Sequence, residues 1–121
     1  MGISLVLQDS ANSGDYNYMI SPGAPATKLL SIRATIDPAN PATTPVWMQV
    51  FDQNLPPVVG DRPVISKPFD SSGYAELDFG LVGRQFTNDC FVILSSTALT
   101  FTWVASVGGG NFKALFDSQY I

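Results

Sequence analysis

The chain has 121 residues, of which 45% are hydrophobic and only 13% are charged, against about a quarter charged in an ordinary soluble protein. This length fits one domain, residues 1–121, with a single hydrophobic core. The net charge is −4, and the ten acidic and six basic residues are scattered without a run of either sign, which argues against nucleic-acid binding because phosphate recognition needs clustered Lys or Arg.

The residue types that usually carry catalysis and metal binding are scarce. The sequence has no histidine and one cysteine, Cys90. A single cysteine cannot form an internal disulfide, and without imidazole or several thiolates a zinc site lacks its usual ligands. Cys90 opens the most hydrophobic run of the chain, Cys90–Leu94, so we expect a buried structural thiol and not a nucleophile. We predict no enzyme activity, no cofactor and no metal site.

The first segment of the chain alternates between apolar and polar residues. Residues 3–8 are interpreted as a strand, and a further strand is predicted at residues 16–20. The opening residues lack a basic stretch, and the apolar stretch is too short for a signal peptide or a membrane-spanning helix. We therefore expect no membrane association, and we expect residues 1–20 to be able to form an extended N-terminal segment.

Three later segments contain runs in which apolar and polar residues alternate, which is typical of strands with one buried and one exposed face. They are residues 28–36, 74–80 and 99–106. The apolar face of the last segment consists of Leu99, Phe101, Trp103 and Ala105. The residues predicted for the core are Leu30, Ile32, Ile36, Leu77, Phe79, Val92, Leu94, Phe101 and Trp103.

Two segments, residues 46–52 and 90–96, are apolar on both faces, which predicts strands that are covered on both sides. In the first of them, Trp47 and Phe51 lie on the face opposite to Met48. If Met48 faces the core, the two aromatic residues are covered either by a loop of the same chain or by a partner.

The remaining predicted strands are residues 62–67 and 112–117, and Pro- and Gly-rich loops separate the strands,. No window free of Pro or Gly shows the helical spacing of apolar residues. Eight or nine short antiparallel strands predict an all-β fold: a single β-sandwich of the jelly-roll or immunoglobulin-like kind, or a β-barrel of about eight strands.

The acidic residues form no recognisable catalytic pair. Glu76 and Asp78 lie two residues apart on one strand face, about 6.5–7 Å between Cα atoms, whereas a glycosidase needs two acids across the scissile bond. The alternating oxygen-bearing residues that begin at Asp70 do not fit an EF-hand loop,. An alternative is a Ca²⁺ site assembled from separate loops by Asp37, Asp52 and Asp61.

Aromatic residues are the candidates for partner binding, since they dominate the energetics of protein interfaces. The three glycines Gly108–Gly110 are interpreted as a turn or hinge and not as a phosphate loop, because no helix or lysine motif follows. They allow residues 107–121 to pair within their own sheet or to reach a neighbouring chain. We expect a homo-oligomer, with a trimer favoured. The predicted partner-binding residues are Trp47, Phe51, Phe112, Phe116 and Tyr120.

Five short motifs occur together between residues 28 and 105. They are Leu30-Ser31-Ile32-Arg33-Ala34, Trp47-Met48-Gln49-Val50-Phe51-Asp52, Pro56-Pro57-Val58-Val59-Gly60, Phe86-Thr87-Asn88-Asp89-Cys90 and Ile93-Leu94-Ser95-Ser96-Thr97. With these motifs, residues 28–105 resemble the small β-rich virion proteins of tailed bacteriophages. In that class a strand with a Gln-Val-Phe-Asp-like stretch is followed by a Pro/Gly loop, and a late hairpin carries a Ser/Thr-rich turn.

The resemblance implies a virion structural protein that folds in the host bacterial cytoplasm and then adds to a particle in many copies. On this basis we expect a capsid decoration, or cement, protein that binds the major capsid protein through apolar contacts and strand addition. The motifs do not distinguish head from tail proteins, so one alternative is a tail or fibre module that binds host carbohydrate through Trp47, Trp103 or the tyrosines. A non-viral carbohydrate-binding module is the other alternative.

Overall fold

The computed structural model describes residues 2–9, 28–39, 45–55, 57–102, 104 and 113–120. These residues form strands, turns and irregular segments without a helix, so the described part of the chain contains no helix that is long and apolar enough to cross a membrane. In chain order the strands are β1 (Gly2–Asp9), β2 (Lys28–Ile36), β3 (Trp47–Asp52), β4 (Ile65–Pro68), β5 (Tyr74–Asp78), β6 (Arg84–Gln85), β7 (Cys90–Ser95) and β8 (Lys113–Tyr120).

The strands form two antiparallel sheets. The first sheet has the order β1-β8-β2-β5, with β6 also pairing with β2, and the second has the order β4-β3-β7. Buried residues of β2 and β8 belong to the same hydrophobic cluster as those of β3 and β7, as expected when two sheets pack face to face. The all-β prediction is confirmed, and the fold is a sandwich and not a closed barrel.

The alternating pattern of β2 and β5 becomes one buried and one exposed face. Ile32 and Ala34 of β2 are fully buried, whereas the alternate residues Arg33 and Thr35 are exposed. Ala34 pairs with the buried Ala75 of β5. Period-two patterning therefore identified the core side of this sheet correctly.

One departure from alternation lies at the start of β2. Leu29 and Leu30 are both buried although they are adjacent. The pairing of β2 with β8 shifts register between Leu29 and Ser31, and a β-bulge of this kind turns successive side chains to new directions. The bulge allows both leucines to enter the core.

Strands β3 and β7 of the second sheet are covered on both sides, as their continuous hydrophobicity predicted, whereas β4 is partly exposed. All six residues of β7, Cys90–Ser95, are buried, and the four central residues of β3, from Met48 to Phe51, are buried too. The hydrophobic core consists of Leu29, Ile32, Ala34, Val46, Met48, Val50, Phe51, Ala75, Phe86, Cys90, Phe91, Val92, Ile93, Leu94, Phe101, Val104 and Phe116, with Ile36, Ile65, Phe69, Leu77 and Phe79 packed against it.

The predicted strand at residues 99–106 is wrong over the part that the structure describes. Residues 99–102 are irregular, and Leu99 is 82% exposed although it was predicted to share the buried face with Phe101. Phe101 exchanges backbone hydrogen bonds with the β3–β4 loop, donating to Asp61 O (2.8 Å) and accepting from Gly60 N (2.9 Å). Ala105 and Trp103 lie outside the described residues.

A buried polar side chain explains why this segment is irregular. The amide nitrogen of Gln49 donates to the carbonyl oxygens of Thr97 (2.8 Å), Ala98 (3.3 Å) and Thr100 (3.2 Å). The hydroxyl of Ser95 accepts hydrogen bonds from the backbone N–H groups of Thr97 (3.2 Å) and Thr102 (3.0 Å). Side chains that bind the backbone in this way compete with ladder hydrogen bonds, so the segment curls over β3.

Other strand boundaries differ by a few residues. The strand predicted at 62–67 is β4, three residues later, and the two-residue β6 was not predicted. The strand predicted at residues 16–20 lies outside the described residues. Strand ends depend on loop hydrogen bonds, which a local sequence pattern does not encode.

Candidate functional site

Phe51 and Phe116, two of the predicted partner-binding residues, have no exposed surface. The ring of Phe51 meets that of Phe101 edge to face, with centroids 6.4 Å apart and an interplanar angle of 84°, a favourable aromatic geometry. Phe116 lies opposite Ala34 in the first sheet and belongs to the core. The sequence left open whether a loop of the same chain or a partner covers Phe51, and the structure shows that it is a loop of the same chain. Neither Phe51 nor Phe116 therefore offers a surface to a partner in this fold.

Trp47 is the predicted residue that reaches a surface. It is half-buried at the start of β3 and lines an open cleft of about 410 Å³. Phe112 lies outside the described residues, and of Tyr120 the structure describes the backbone in β8. The described residues therefore place Trp47 in a site of its own, apart from Phe51 and Phe116.

The Trp47 cleft is built where β2 ends and the turn before β5 begins. The N–H of Ile36 donates to Gly73 O (2.8 Å), and the N–H of Phe69 donates to Val46 O (3.0 Å). The first bond extends the β2–β5 pairing of the first sheet, and the second extends the β3–β4 pairing of the second sheet. The remaining lining residues of the cleft are Pro38, Pro45, Pro68, Asp70, Ser71 and Ser72.

Asp70 fixes the turn at the rim of the cleft. Its carboxylate accepts from Ser72 N (2.9 Å), Ser72 Oγ (2.6 Å) and Tyr74 N (3.1 Å). The hydroxyl of Ser72, helped by the backbone N–H of Tyr74, lowers the pKa of Asp70 below its ordinary value. The series that begins at Asp70 is thus an Asx turn followed by a strand, and no group of three metal-ligating side chains occurs among the described residues.

The Ca²⁺ site considered for Asp37, Asp52 and Asp61 is not assembled, because each carboxylate stabilises its own stretch of backbone. Asp52 accepts from the N–H groups of Thr87 (3.0 Å) and Asn88 (2.8 Å). Asp61 accepts from Val58 N (3.0 Å) and from the amide nitrogen of the Gln53 side chain (3.1 Å). Asp37 accepts from Ala39 N (3.0 Å).

The cysteine is inert in the folded chain. Cys90 is fully buried at the start of β7. Burial, together with the negative charges of Asp89 and Asp52, raises the pKa of its thiol to about 12. Since the thiolate is the nucleophilic form, Cys90 acts as an apolar core residue, as predicted.

The outer face of the first sheet carries an ion pair. Arg33 of β2 pairs with Asp117 of β8 through its guanidinium group, and the hydrogen bond to Asp117 raises the pKa of Arg33. Burial and the nearby charge of Glu76 raise the pKa of Tyr74 on the neighbouring strand. The side chains of Arg33 and Asp117 are 46% and 34% exposed, so solvent screens the pair and it adds little stability.

Large apolar side chains are exposed on two loops of the chain. In the β3–β4 loop Leu55 is 74% exposed, and Val58 and Val59 are exposed by more than half. In the β5–β6 loop Leu81 is 89% and Val82 is 80% exposed. These five residues are named the apolar loop end below.

Both loops lie at the end of the sandwich opposite the Trp47 cleft, because β3 and β5 both end there. β3 ends at Asp52, directly across from Cys90, where β7 begins. The N–H of Gln53, the first residue of the β3–β4 loop, donates to Asp89 O (3.2 Å). The chain that follows the β5–β6 loop is held against the same strand end, because Asp52 binds the N–H groups of residues 87 and 88.

The apolar loop end was not predicted from the sequence. Two segments could have indicated it, because they place large apolar residues where Pro and Gly prevent a strand. They are Leu-Pro-Pro-Val-Val-Gly at residues 55–60 and Gly-Leu-Val-Gly at residues 80–83. Neither segment contains a charged residue. Apolar residues in turns do not lie on a strand face that points into the core. Such residues therefore indicate an exposed apolar patch on the surface.

Comparison with protein families gave no match, and comparison with curated proteins gave none either. Among solved structures, the coat protein of Tobacco streak virus is similar over 97% of this chain and 86% of the coat protein chain, with 19% sequence identity and a TM-score of 0.36. This similarity is too low to support an argument about function, so the proposals below rest on the chain itself.

Proposed function

We propose that this chain is a virion structural protein that decorates a capsid, binding the major capsid protein through the apolar loop end. The observation that carries the proposal is the exposure of five large aliphatic side chains on two loops at the same end of the sandwich. The resemblance of residues 28–105 to small virion proteins of tailed bacteriophages supports the choice of partner. The proposed location is the virion, reached after folding in the host bacterial cytoplasm.

The composition of the two loops fits the centre of a protein interface. Residues 53–60 and 80–83 contain no charge, while Asp61, Arg62 and Arg84 follow immediately. Interface cores are depleted of charged residues and surrounded by a polar rim. Full burial of one large aliphatic side chain contributes roughly 1.5–3 kcal/mol, and part of that gain offsets the lost freedom of the bound chain.

The β3–β4 loop is held in shape before it binds. Asp61 accepts hydrogen bonds from Val58 N and from the Gln53 side chain, and Gly60 N donates to Phe101 O. A loop ordered in advance loses less conformational entropy on association. Many copies that bind one lattice add their contributions, so modest affinity per copy still stabilises a particle.

Co-sedimentation with particles tests this surface. The double variant Leu81→Lys, Val82→Lys introduces two charges at the most exposed residues of the apolar loop end, and we expect its binding to particles lacking the chain to fall at least about tenfold. Thr35→Lys, an exposed substitution in β2, is the matched control and should bind like the parent chain. Equal binding of the double variant and the control would reject the apolar loop end as the contact.

A tail or fibre module is a second candidate, favoured by the Trp47 cleft. A half-buried tryptophan beside Phe69 and three prolines offers flat apolar surfaces of the kind on which sugar rings stack. On this account Trp47→Ala lowers adsorption to host cells or binding to cell-wall glycans and leaves capsid binding unchanged. A non-viral carbohydrate-binding module would use the same cleft and would bind glycans without any particle.

A further inference from the structure

Residues 96–102, the segment that follows β7, expose one large apolar side chain. Leu99 is 82% exposed, whereas Phe101, two residues further on, is fully buried. The Gln49 side chain binds carbonyl oxygens of this segment, and the Phe101 ring packs on Phe51, so the segment covers the side of β3 that carries Gln49 and Phe51. Because β3 is buried on both sides, the first sheet covers the opposite side, and Leu99 lies on the outer side of the second sheet.

Leu99 adjoins the apolar loop end. The N–H of Phe101 donates to Asp61 O (2.8 Å), and the carbonyl oxygen of Phe101 accepts from Gly60 N (2.9 Å). These bonds hold the segment against the β3–β4 loop, in which two valines of the apolar loop end are more than half exposed and Val64 is 45% exposed. A single exposed apolar residue is common on protein surfaces, but Leu99 lies beside a loop that exposes others.

The outer sides of the two sheets differ in charge. Residues 90–102, which include β7 and the segment with Leu99, contain no charged residue. The outer side of the first sheet carries the Arg33–Asp117 ion pair and, on the neighbouring strand, the exposed residues Glu76 and Asp78. Since the centre of a protein interface is depleted of charged residues, the outer side of the second sheet is the better match for a partner that binds the apolar loop end.

The segment that carries Leu99 is ordered by its own hydrogen bonds. The Ser95 hydroxyl accepts from the N–H groups of Thr97 and Thr102, and the Thr97 hydroxyl donates to Thr100 O (2.6 Å). A segment that is ordered before binding loses little conformational entropy when a partner covers it. The exposed leucine is thus presented in a conformation that already exists in the free chain.

We infer that the surface for the major capsid protein extends from the apolar loop end to Leu99, so that the outer side of the second sheet, and not that of the first, faces the lattice. The inference rests on the proposed function and adds to it the orientation of the bound chain. On this account the capsid protein presents an uncharged, apolar surface to Leu99.

Substitutions at Leu99 test the extended surface by co-sedimentation with particles that lack the chain. Leu99→Lys should weaken binding at least about tenfold, and Leu99→Ser should weaken it without the added charge. Thr35→Lys, on the outer side of the first sheet, should bind like the parent chain. The urea midpoints of all three variants should match that of the parent, because both positions are exposed,.

Thiol labelling reads the orientation of the bound chain. Cys90 is buried, so a cysteine introduced at the surface is the thiol that a maleimide reaches. At saturating particle concentration, Leu99→Cys should react at least about tenfold more slowly than the same variant free in solution, because the contact excludes solvent. Thr35→Cys should react at the same rate bound and free.

The outcomes separate this inference from the proposed function. If Leu99→Lys binds like the parent while Leu81→Lys, Val82→Lys binds weakly, the inference is overturned and the apolar loop end remains the contact. Protection of Thr35→Cys in place of Leu99→Cys would also overturn it, since the first sheet would then face the lattice. A parent chain that does not bind particles would reject the proposed function, and the inference with it.

Discussion

Gln49 is the polar residue on which the segment after β7 depends. It is fully buried in β3, and its amide nitrogen binds three carbonyl oxygens of residues 97–100. Its Oε1 atom is buried without a hydrogen-bond partner among the described residues. The side chain therefore acts as a donor that gathers carbonyl groups, a role that neither an apolar nor an acidic residue fills.

Replacing this donor should destabilise the chain. Gln49→Leu leaves buried carbonyl groups without their partner, and we expect the free energy of unfolding in urea to fall by about 1–3 kcal/mol. Gln49→Glu should cost more, because a carboxylate faces the same carbonyl oxygens. Asn54→Leu, in an exposed loop position, is the control with an expected effect within about 0.5 kcal/mol. Equal stability of Gln49→Leu and the control would contradict this role.

Asp70 makes stability depend on pH. Its pKa is lowered in the folded chain, first by the hydroxyl of Ser72, so its contribution is present above the unfolded pKa, about 3.9. That contribution is lost as pH falls through the lower, folded pKa. We expect the difference in urea midpoint between the parent and Asp70→Asn to be largest at pH 7 and to shrink below about pH 4.

Ser72→Ala is the companion variant for this measurement. It removes the hydroxyl donor and keeps the carboxylate, so the loss of stability on acidification should begin at higher pH than in the parent. A stability difference between the parent and Asp70→Asn that stays constant from pH 7 to pH 3 would show that the carboxylate charge does not stabilise the turn.

At the scale of elements, the β5–β6 loop depends on one tight glycine. Gly83 has φ +74°, and a Cβ there would lie 2.9 Å from Leu30 Cδ2 and 3.2 Å from Leu29 O. Gly80, in the same loop, has φ +69° and no atom within 4 Å of such a Cβ. The two positions share a left-handed backbone and differ in the space around it.

Alanine substitutions separate these two effects. Gly80→Ala should lower the free energy of unfolding by about 1 kcal/mol through backbone strain alone. Gly83→Ala should lower it further, by roughly another 1–3 kcal/mol, because the new methyl group overpacks the start of β2. Thermal or urea unfolding of the pair measures the difference, and equal losses would show that the loop shifts freely away from Leu30.

The elements that the sequence predicted well are those whose pattern is local. β2 and β5 bury one face, and that burial is written in the alternation of residues such as Ile32, Arg33 and Ala34. The segment at 99–102 was predicted as a strand because it alternates too. Its conformation is determined by Gln49 and Asp61, which lie about 40 to 50 residues away in the chain, and no local pattern reports such contacts.

The candidate site was predicted only in part, for a similar reason. Trp47 and Phe51 lie on one face of β3, yet Phe51 is buried beneath Phe101 whereas Trp47 reaches the cleft. Which aromatic residue a loop covers depends on the path of that loop. The apolar loop end was missed because apolar residues between prolines and glycines were treated as turn residues and not as a surface.

At the scale of the whole molecule, the sandwich separates two surfaces. The apolar loop end lies where β3 ends, and the Trp47 cleft lies where β3 begins. A chain with this arrangement can bind a lattice at one end and leave the other end free. Under the proposed function, the bound chain stabilises a capsid that has already assembled.

This stabilisation can be measured as the heat resistance of particles with and without the chain. Particles lacking the chain should assemble and adsorb to cells normally but release DNA at a lower temperature, and purified chain added back should restore their resistance, since each bound copy favours the intact lattice. Unchanged heat resistance together with impaired adsorption would contradict the decoration account and would favour the tail module.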